Sequence, residues 1–103
     1  MNQELTVSKT VTDNGVEFQV EGRINTTNAG ILEQALENAI QDGHINIVLN
    51  MRMVTFLTSV GIRLILKTHK KCTEAGGKFQ IQDPSRSVKN VLRLSALHQI
   101  FVD

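Results

Sequence analysis

Two hydroxyl side chains interrupt an apolar run, and they are the residues of this chain best suited to chemistry. The run extends from Val54 to Leu66, V-T-F-L-T-S-V-G-I-R-L-I-L, and contains Thr58, Ser59 and Gly61. Serine and threonine are common at helix N-termini, where their oxygens accept hydrogen bonds from free backbone amides. A phosphate there would lie beside those amides and the positive end of the helix dipole. Ser59 therefore has two interpretations, a capping or first-turn residue and a phosphoacceptor, with Thr58 as the secondary phosphoacceptor candidate.

A basic side chain follows Ser59 at a spacing that is meaningful in a helix. Arg63 lies four residues later, so the two side chains share one helix face. Its guanidinium could bind a phosphate on Ser59 or a carboxylate of a partner. The alternative is a solvated arginine on a charged face with Lys67, Lys70 and Lys71, since most surface charges have no further role. The sequence leaves both interpretations open.

The elements that position this stretch begin with a predicted hairpin. Residues 16–20, V-E-F-Q-V, show the period-two alternation of a half-buried strand. Apolar residues within 5–11 predict a partner strand, and Asn14-Gly15 is a strong turn signal between the two.

The next elements are a predicted helix and a buried strand. Apolar residues recur at helical spacing within 32–40, which predicts an amphipathic helix that starts near Thr26 or Thr27. Asp42-Gly43 is expected to end it. Residues 45–50, I-N-I-V-L-N, are typical of a strand that is covered on both faces or nearly so.

Two more helices and two strands complete the prediction. The run that contains Ser59 is predicted to begin the second helix, which Gly76-Gly77 ends. Its predicted core-facing residues are Ile62, Ile65, Leu66 and His69. K-F-Q-I-Q is a predicted strand, and Asp83-Pro84 leads into a third helix with the carboxylate of Asp83 as the expected cap. The predicted inner face of the third helix comprises Val88, Val91, Leu92 and Ser95, and residues 100–102 suggest a short terminal strand.

The order β-β-α-β-α-β-α predicts one α/β domain over residues 1–103. We expect a mixed sheet of four to five strands with an N-terminal hairpin, helical crossovers and parallel later strands. Sites in such sheets collect where strands end and helices begin. The candidate loops are residues 22–29, 57–61 and 83–87, and the first two are expected to lie close together.

Composition limits the functions that these loops can have. The chain has 103 residues, a formal net charge of +1 and one cysteine. This charge gives no electrostatic footprint for nucleic acid, and an unpaired cysteine is typical of a reducing cytosol. The N-terminus has no signal-peptide pattern and no apolar run is long enough to span a membrane, so a cytoplasmic protein without membrane insertion is expected.

Catalysis and cofactors are not indicated by any motif. The chain has no phosphate-binding or dinucleotide-binding glycine pattern and no paired carboxylates at a strand end. The three histidines have no metal-ligand spacing with one another or with Cys72. We therefore expect no enzyme, no cofactor and no metal site.

Three collinear segments carry a resemblance to a known family. They are G-R-I-N-T-T-N-A (residues 22–29), I-N-I-V-L-N-M-R-M-V-T-F-L-T-S-V-G-I-R-L-I-L (45–66) and A-G-G-K-F-Q-I-Q-D-P-S-R-S-V-K-N-V-L-R-L-S-A-L-H-Q-I-F (75–101). In order and spacing the chain resembles the STAS domain of bacterial anti-sigma factor antagonists. The resemblance covers essentially the whole chain and implies a single STAS domain.

The resemblance implies a partner-switching function. A protein of this family binds an anti-sigma factor that is also a serine kinase, and phosphorylation at the start of the second helix breaks the complex until a serine phosphatase restores it. The phosphoacceptor position corresponds to Ser59 and the family's glycine to Gly61. The partner-binding residues that we expect from the resemblance and the loops are Asn25, Thr26, Thr27, Phe56, Leu57, Thr58, Gly61 and Arg63.

Two positions depart from the family pattern and keep an alternative open. The family's usual aspartates are replaced by Asn25 and Thr58, so both nearby acids have become neutral. The alternative is a constitutive STAS scaffold subunit of a signalling complex or an ABC-type transporter, without phosphoswitching. A homodimer or a larger signalling assembly is compatible with either function.

Overall fold

The computed structural model describes residues 5–94 and 101–102 of the chain. The elements run in the order β1 (Leu5–Thr12), β2 (Gly15–Ile24), α1 (Ala29–Gln41), β3 (Asn46–Leu57), α2 (Ser59–Glu74), β4 (Lys78–Gln82), α3 (Arg86–Leu94) and β5 (Phe101–Val102). This order confirms the predicted hairpin, crossovers and short terminal strand. Ile100 and Ser95, which the prediction included, lie outside the described residues.

The described strands form one mixed sheet of five strands in chain order, β1-β2-β3-β4-β5. β1 and β2 are antiparallel, and each later pair is parallel. Thr12 lies opposite Gly15, so the hairpin turn is Asp13-Asn14, one residue earlier than predicted. Because β2 to β5 advance in one direction through right-handed crossovers, the three helices belong on the same face of the sheet.

The core lies between that face and the helices. Phe18, Leu49 and Ile81 are register partners on adjacent strands and are almost completely buried. Leu32 and Leu36 of α1 are buried against the same cluster. On the other face of the sheet, alternate residues such as Glu17 and Gln19 are only half-buried, which is the usual result when one face of a sheet meets water.

β3 is longer than the predicted strand of residues 45–50, and it continues to the residue before the N-cap of α2. Val54 to Leu57 are strand residues, because β2 continues beside them and pairs Ile24 with Leu57. Beyond Asn50 the other edge of β3 no longer faces β4. Ser85 binds that edge, with its amide donating to the carbonyl of Met51 (3.2 Å).

The predicted core face of α2 is partly wrong. Leu66 is 43% exposed, whereas Leu64, Ile65, Thr68 and Cys72 are buried. The Thr68 hydroxyl donates to the carbonyl of Leu64 at 3.0 Å, so its burial leaves no unsatisfied polar group. Burial raises the pKa of the Cys72 thiol, which keeps it protonated and supports a packing role.

The third helix has a different cap from the one predicted. Ser85 precedes α3, and its Oγ accepts a hydrogen bond from the amide of Val88 at 3.2 Å. The same Oγ donates to the carbonyl of Val54 at 2.5 Å. Asp83 does not cap the helix; it adopts a φ of 50° at the end of β4, a conformation that aspartate tolerates better than most residues. Ser85 therefore fixes the start of α3 to the distal half of β3.

Metal-binding clusters and membrane-spanning helices are both absent from the part of the chain that the structure describes. No group of three His, Cys, Asp or Glu side chains within residues 5–94 and 101–102 is arranged to hold a metal ion. In that part of the chain, no helix has the length and apolar character needed to cross a bilayer.

Candidate functional site

The loops that follow β2 and β3 meet at one edge of the sheet, as predicted. Ile24 and Leu57, the last residues of the two strands, are register partners. The amide and the hydroxyl of Thr58 both donate to the carbonyl of Ile24, each at 3.2 Å. The start of α2 is thus tied directly to the end of β2.

Thr58 occupies the N-cap position of α2 but does not cap the helix with its side chain. Its backbone is extended (φ −92°, ψ 175°), and its side chain makes no capping hydrogen bond. Its carbonyl accepts from the amide of Ile62 at 3.1 Å, as in a normal first turn. Because the hydroxyl is directed to Ile24, the first-turn amides of α2 are left without a partner from Thr58.

Ser59 is the first residue of α2 and is exposed. Its hydroxyl lies outside the helical hydrogen-bond ladder, so modification does not require the helix to open. No acidic residue is present in the first turn. A phosphate on Ser59 would therefore meet amide donors and the positive end of the helix dipole without a like charge in that turn.

Gly61 allows α2 to approach the strand ends closely. A Cβ at this position would overlap with Cδ1 of Leu57 and would lie 3.0 Å from Cγ2 of Ile24. Leu57 and Gly61 are both buried. The prediction that these two residues contact a partner directly is therefore corrected, because they pack beneath the surface and position Ser59 from below.

Asn25 organises the loop between β2 and α1. Its Oδ1 accepts hydrogen bonds from the amide and hydroxyl of Thr27, at 3.0 and 2.7 Å, and from the amide of Asn28 at 3.1 Å. Oδ1 of Asn28 in turn accepts from the amide of Asn25 at 2.9 Å. Thr26 and Thr27 are left exposed at the loop surface. Asn28 was not predicted; it occupies the N-cap position of α1 without a side-chain capping hydrogen bond, and its Nδ2 donates to the carbonyl of Arg23 at 2.8 Å.

Replacement of Asn25 by Ala should lower the free energy of unfolding by about 1–2 kcal/mol, because three donors of the loop lose their acceptor. Asn25→Asp should lose less stability than Asn25→Ala, since a carboxylate oxygen accepts the same three bonds. Urea denaturation followed by circular dichroism measures both. Equal loss in the two variants would contradict the assigned role of Oδ1.

Exposed apolar side chains lie next to the site on β3. Phe56 is 40% and Met53 is 52% exposed. The guanidinium of Arg23 lies 4.5 Å above the Phe56 ring centroid in a cation–π contact, and the two residues are register partners. Phe56 was predicted as a site residue but Arg23 was not, since nothing in the local pattern indicates a contact between residues that are separated by the whole of α1.

Arg63 is exposed on α2, as its spacing from Ser59 requires. It lines a depression of about 230 Å³ between α1 and α2, together with Glu33 and Lys67. Lys67 is not simply solvated, because its Nζ lies 2.8 Å from Glu33 and 3.2 Å from Glu37. The hydrogen bond from Lys67 lowers the pKa of the Glu37 carboxyl, and the bond to Glu33 raises the pKa of Lys67. The predicted solvated charged face is therefore partly an ion-pair network with α1.

Comparisons with known proteins identify the family of this chain. The model of the STAS domain family matches residues 6–102. BtrV of Bordetella bronchiseptica, which is named as an anti-sigma factor antagonist, is 26% identical over 82 residues, or 80% of this chain and 71% of BtrV. The crystal structure of an anti-sigma factor antagonist from Mycobacterium paratuberculosis is 26% identical, has a TM-score of 0.84 and aligns over 94% of this chain and 82% of that chain.

A further structure supports the fold. SpoIIAA, an anti-sigma factor antagonist solved in its unphosphorylated form, superimposes with a TM-score of 0.82 at 21% identity, over 96% of this chain and 86% of that chain. The likeness to SpoIIAA concerns architecture, and the family match extends over almost the whole sequence. The predicted resemblance is confirmed, and the chain belongs to the STAS domain family.

Proposed function

We propose that this chain is an anti-sigma factor antagonist that binds an anti-sigma factor with serine kinase activity and is switched off by phosphorylation of Ser59. The observation that carries the proposal is the position of Ser59, exposed as the first residue of α2. It is supported by the relatives BtrV and the Mycobacterium paratuberculosis protein, which are named as anti-sigma factor antagonists. SpoIIAA, which shares the fold, is known from Bacillus in a phosphorylated form.

The switch follows from charge rather than from unfolding. A phosphate adds about −1.5 to −2 charge at pH 7. At the start of α2 that charge is compatible with the helix, because the first-turn amides and the dipole favour an anion. A partner that covers Ser59 must instead bury the charge, which is costly without matched donors. Binding is therefore lost while the domain stays folded.

The docking surface that we propose surrounds Ser59. Its exposed members are Thr26, Thr27, Phe56, Ser59 and Arg63. The half-buried pair Asn25 and Thr58 and the buried pair Leu57 and Gly61 hold these side chains in place. Met53 and Arg23 extend the surface along β2 and β3, where exposed apolar area beside a modification site favours a protein partner.

The proposed partner-switching pathway also implies a phosphatase, a non-catalytic role and a cellular location for this protein. A serine phosphatase would restore the binding form, and the protein acts by binding, without catalysis or a cofactor of its own. We place it in the cytoplasm, where sigma factors and their regulators operate. A homodimer or a larger signalling assembly is compatible with the surface, since the proposed site occupies one edge of the sheet.

A second candidate function is favoured by the hydrogen bonds of Thr58 and Asn25. The Thr58 hydroxyl donates to Ile24, and the Asn25 side chain accepts three loop donors. The Thr58 bond needs a donor that an ionised aspartate lacks, so this departure from the family's acidic pattern has a structural role that needs no kinase. A constitutive scaffold subunit of a signalling complex or an ABC-type transporter would use the same surface permanently.

Incubation with the candidate kinase and ATP, followed by intact mass spectrometry, separates the two functions. We expect one phosphate on the wild type, one on Thr58→Ala and none on Ser59→Ala. Ser8→Ala, at an exposed β1 serine, is the matched control and should accept phosphate like the wild type. A complex that persists in ATP without any phosphate transfer would favour the scaffold, and phosphate on Ser59→Ala would exclude Ser59 as the sole acceptor.

A further inference from the structure

A cluster of basic side chains lies on α3 and the adjoining part of β3. Arg86, Lys89 and Arg93 follow one another at spacings of three and four residues, so they share one helix face. Arg52 of β3 lies beside them across Pro84. Two shallow depressions of about 390 and 500 Å³ adjoin here, since Pro84 and Lys89 line both. We call this surface the basic groove and define it by Arg52, Pro84, Arg86, Lys89, Asn90 and Arg93.

The arginines of the basic groove are not neutralised by the fold. Arg52, Arg86 and Arg93 are exposed. Within residues 5–94 and 101–102, the ion pairs join Lys67 and Lys71 to acids of α1 and do not involve these arginines. Asp83 also lines the first depression, and it is in none of these ion pairs of the described residues. The positive charge of these three arginines is therefore available to a ligand.

The groove is held on a rigid frame. Val88 and Leu92, on the opposite side of α3, are completely buried. Ser85 fixes the start of the helix to β3 through Val54 and Met51. Arg86 and Arg93 are separated by about 10 Å along the helix axis, from seven residues at about 1.5 Å each. Side chains on one side of an extended peptide repeat about every 7 Å, so one short segment can reach several of these guanidinium groups.

We propose that the basic groove docks an acidic segment of a partner protein. Guanidinium groups bind carboxylates in bidentate pairs, and three of the four cations are arginines. Four of the chain's 11 basic residues cluster here although the net charge is only +1. A short acidic segment therefore finds complementary charge, whereas a nucleic acid running past the groove does not find a continuing basic track. The inference does not depend on phosphorylation of Ser59.

A fluorescein-labelled peptide of alternating Glu and Ser residues tests this inference by fluorescence anisotropy at low and physiological salt. We expect saturable binding that weakens as salt is raised. The affinity for the peptide should fall by at least about tenfold in the triple variant Arg52→Gln/Arg86→Gln/Arg93→Gln. The matched control Lys9→Gln/Lys70→Gln/Lys78→Gln removes the same charge from exposed positions outside the groove and should bind like the wild type. Amide NMR shifts should change around Arg52 and along α3.

Three outcomes would overturn the proposal. The first is an absence of peptide binding at low salt, and the second is an equal loss of peptide affinity in the control variant. The third is that a single-stranded oligonucleotide binds more tightly than the peptide and that the arginine variant loses this binding too. Circular dichroism melting shows whether the arginine variant is folded, and single Arg86→Gln and Arg93→Gln variants replace it if it is not. Ser59→Ala should bind the peptide like the wild type, so failure here is distinguishable from failure of the proposed phosphoswitch.

Discussion

Phosphoserine at position 59 should weaken binding of the cognate anti-sigma factor by about a hundredfold or more, equivalent to about 3 kcal/mol. Genetic incorporation of phosphoserine supplies the protein without a kinase, and calorimetry or surface plasmon resonance measures the affinity. The loss is expected because a partner that covers the exposed first turn of α2 must bury a phosphate whose preferred donors belong to this chain. The free energy of unfolding should change by less than about 1 kcal/mol, since a helix N-terminus favours an anion.

The controls separate charge at the site from charge in general. Phosphoserine at Ser8, an exposed position on β1, should leave affinity unchanged.

Arg63→Ala should alter the affinity of the phosphorylated or the unphosphorylated form if its guanidinium binds the phosphate or a partner carboxylate. An unchanged affinity in both forms would assign Arg63 to the solvated surface. Equal affinity of the Ser59-phosphorylated and unmodified proteins would falsify the switch.

Gly77→Ala should lower the free energy of unfolding by about 3 kcal/mol or more, which can leave a small domain largely unfolded. A Cβ on Gly77 would overlap with the carbonyl oxygen and carbon of Ile45. Both sides of this contact are backbone, and the adjoining amide of Lys78 donates to the same carbonyl at 3.0 Å. The clash therefore cannot be relieved by a side-chain rotation, and β4 must shift relative to β3.

Gly30→Ala is the matched control for this prediction. Gly30 lies in the first turn of α1, and a Cβ there meets no atom within 4 Å. The same chemical change should raise the free energy of unfolding by up to about 1 kcal/mol, because alanine has the higher helix propensity. Chemical denaturation of both variants measures the two effects. A Gly77→Ala protein as stable as the wild type would show that the approach of the two backbones is looser than described.

The sequence predicted the fold where the relevant pattern is local. The alternation in residues 16–20 and the helical spacing in 32–40 appear within a single element, so the hairpin, α1 and the parallel crossovers were confirmed. The end of β3 was not predictable in this way. Residues 51–57 are a strand because β2 lies on one side and Ser85 binds the other, and these contacts come from distant parts of the chain.

The candidate site was predictable in position but not in its hydrogen bonds. Topology alone placed the loop after β2 beside the start of α2, and the contact between Thr58 and Ile24 confirms it. The same contact explains why the Thr58 side chain does not cap α2. Its residue type and position are those of an N-cap, but the acceptor that receives its hydroxyl is 34 residues away in the sequence. Arg23 above Phe56 was missed for the same reason.

The hydrogen bond between Thr58 and Ile24 also affects how long a phosphate on Ser59 would persist. An aspartate at the N-cap would hold the first-turn amides with its own negative charge and would repel a phosphate on the next residue. Thr58 donates elsewhere and carries no charge. A phosphate on Ser59 can therefore take those amides unopposed, and its removal has to break the bonds that it forms with them. If Ser59 is phosphorylated as we propose, we expect the phosphate to be removed more slowly than in a relative with the acidic cap.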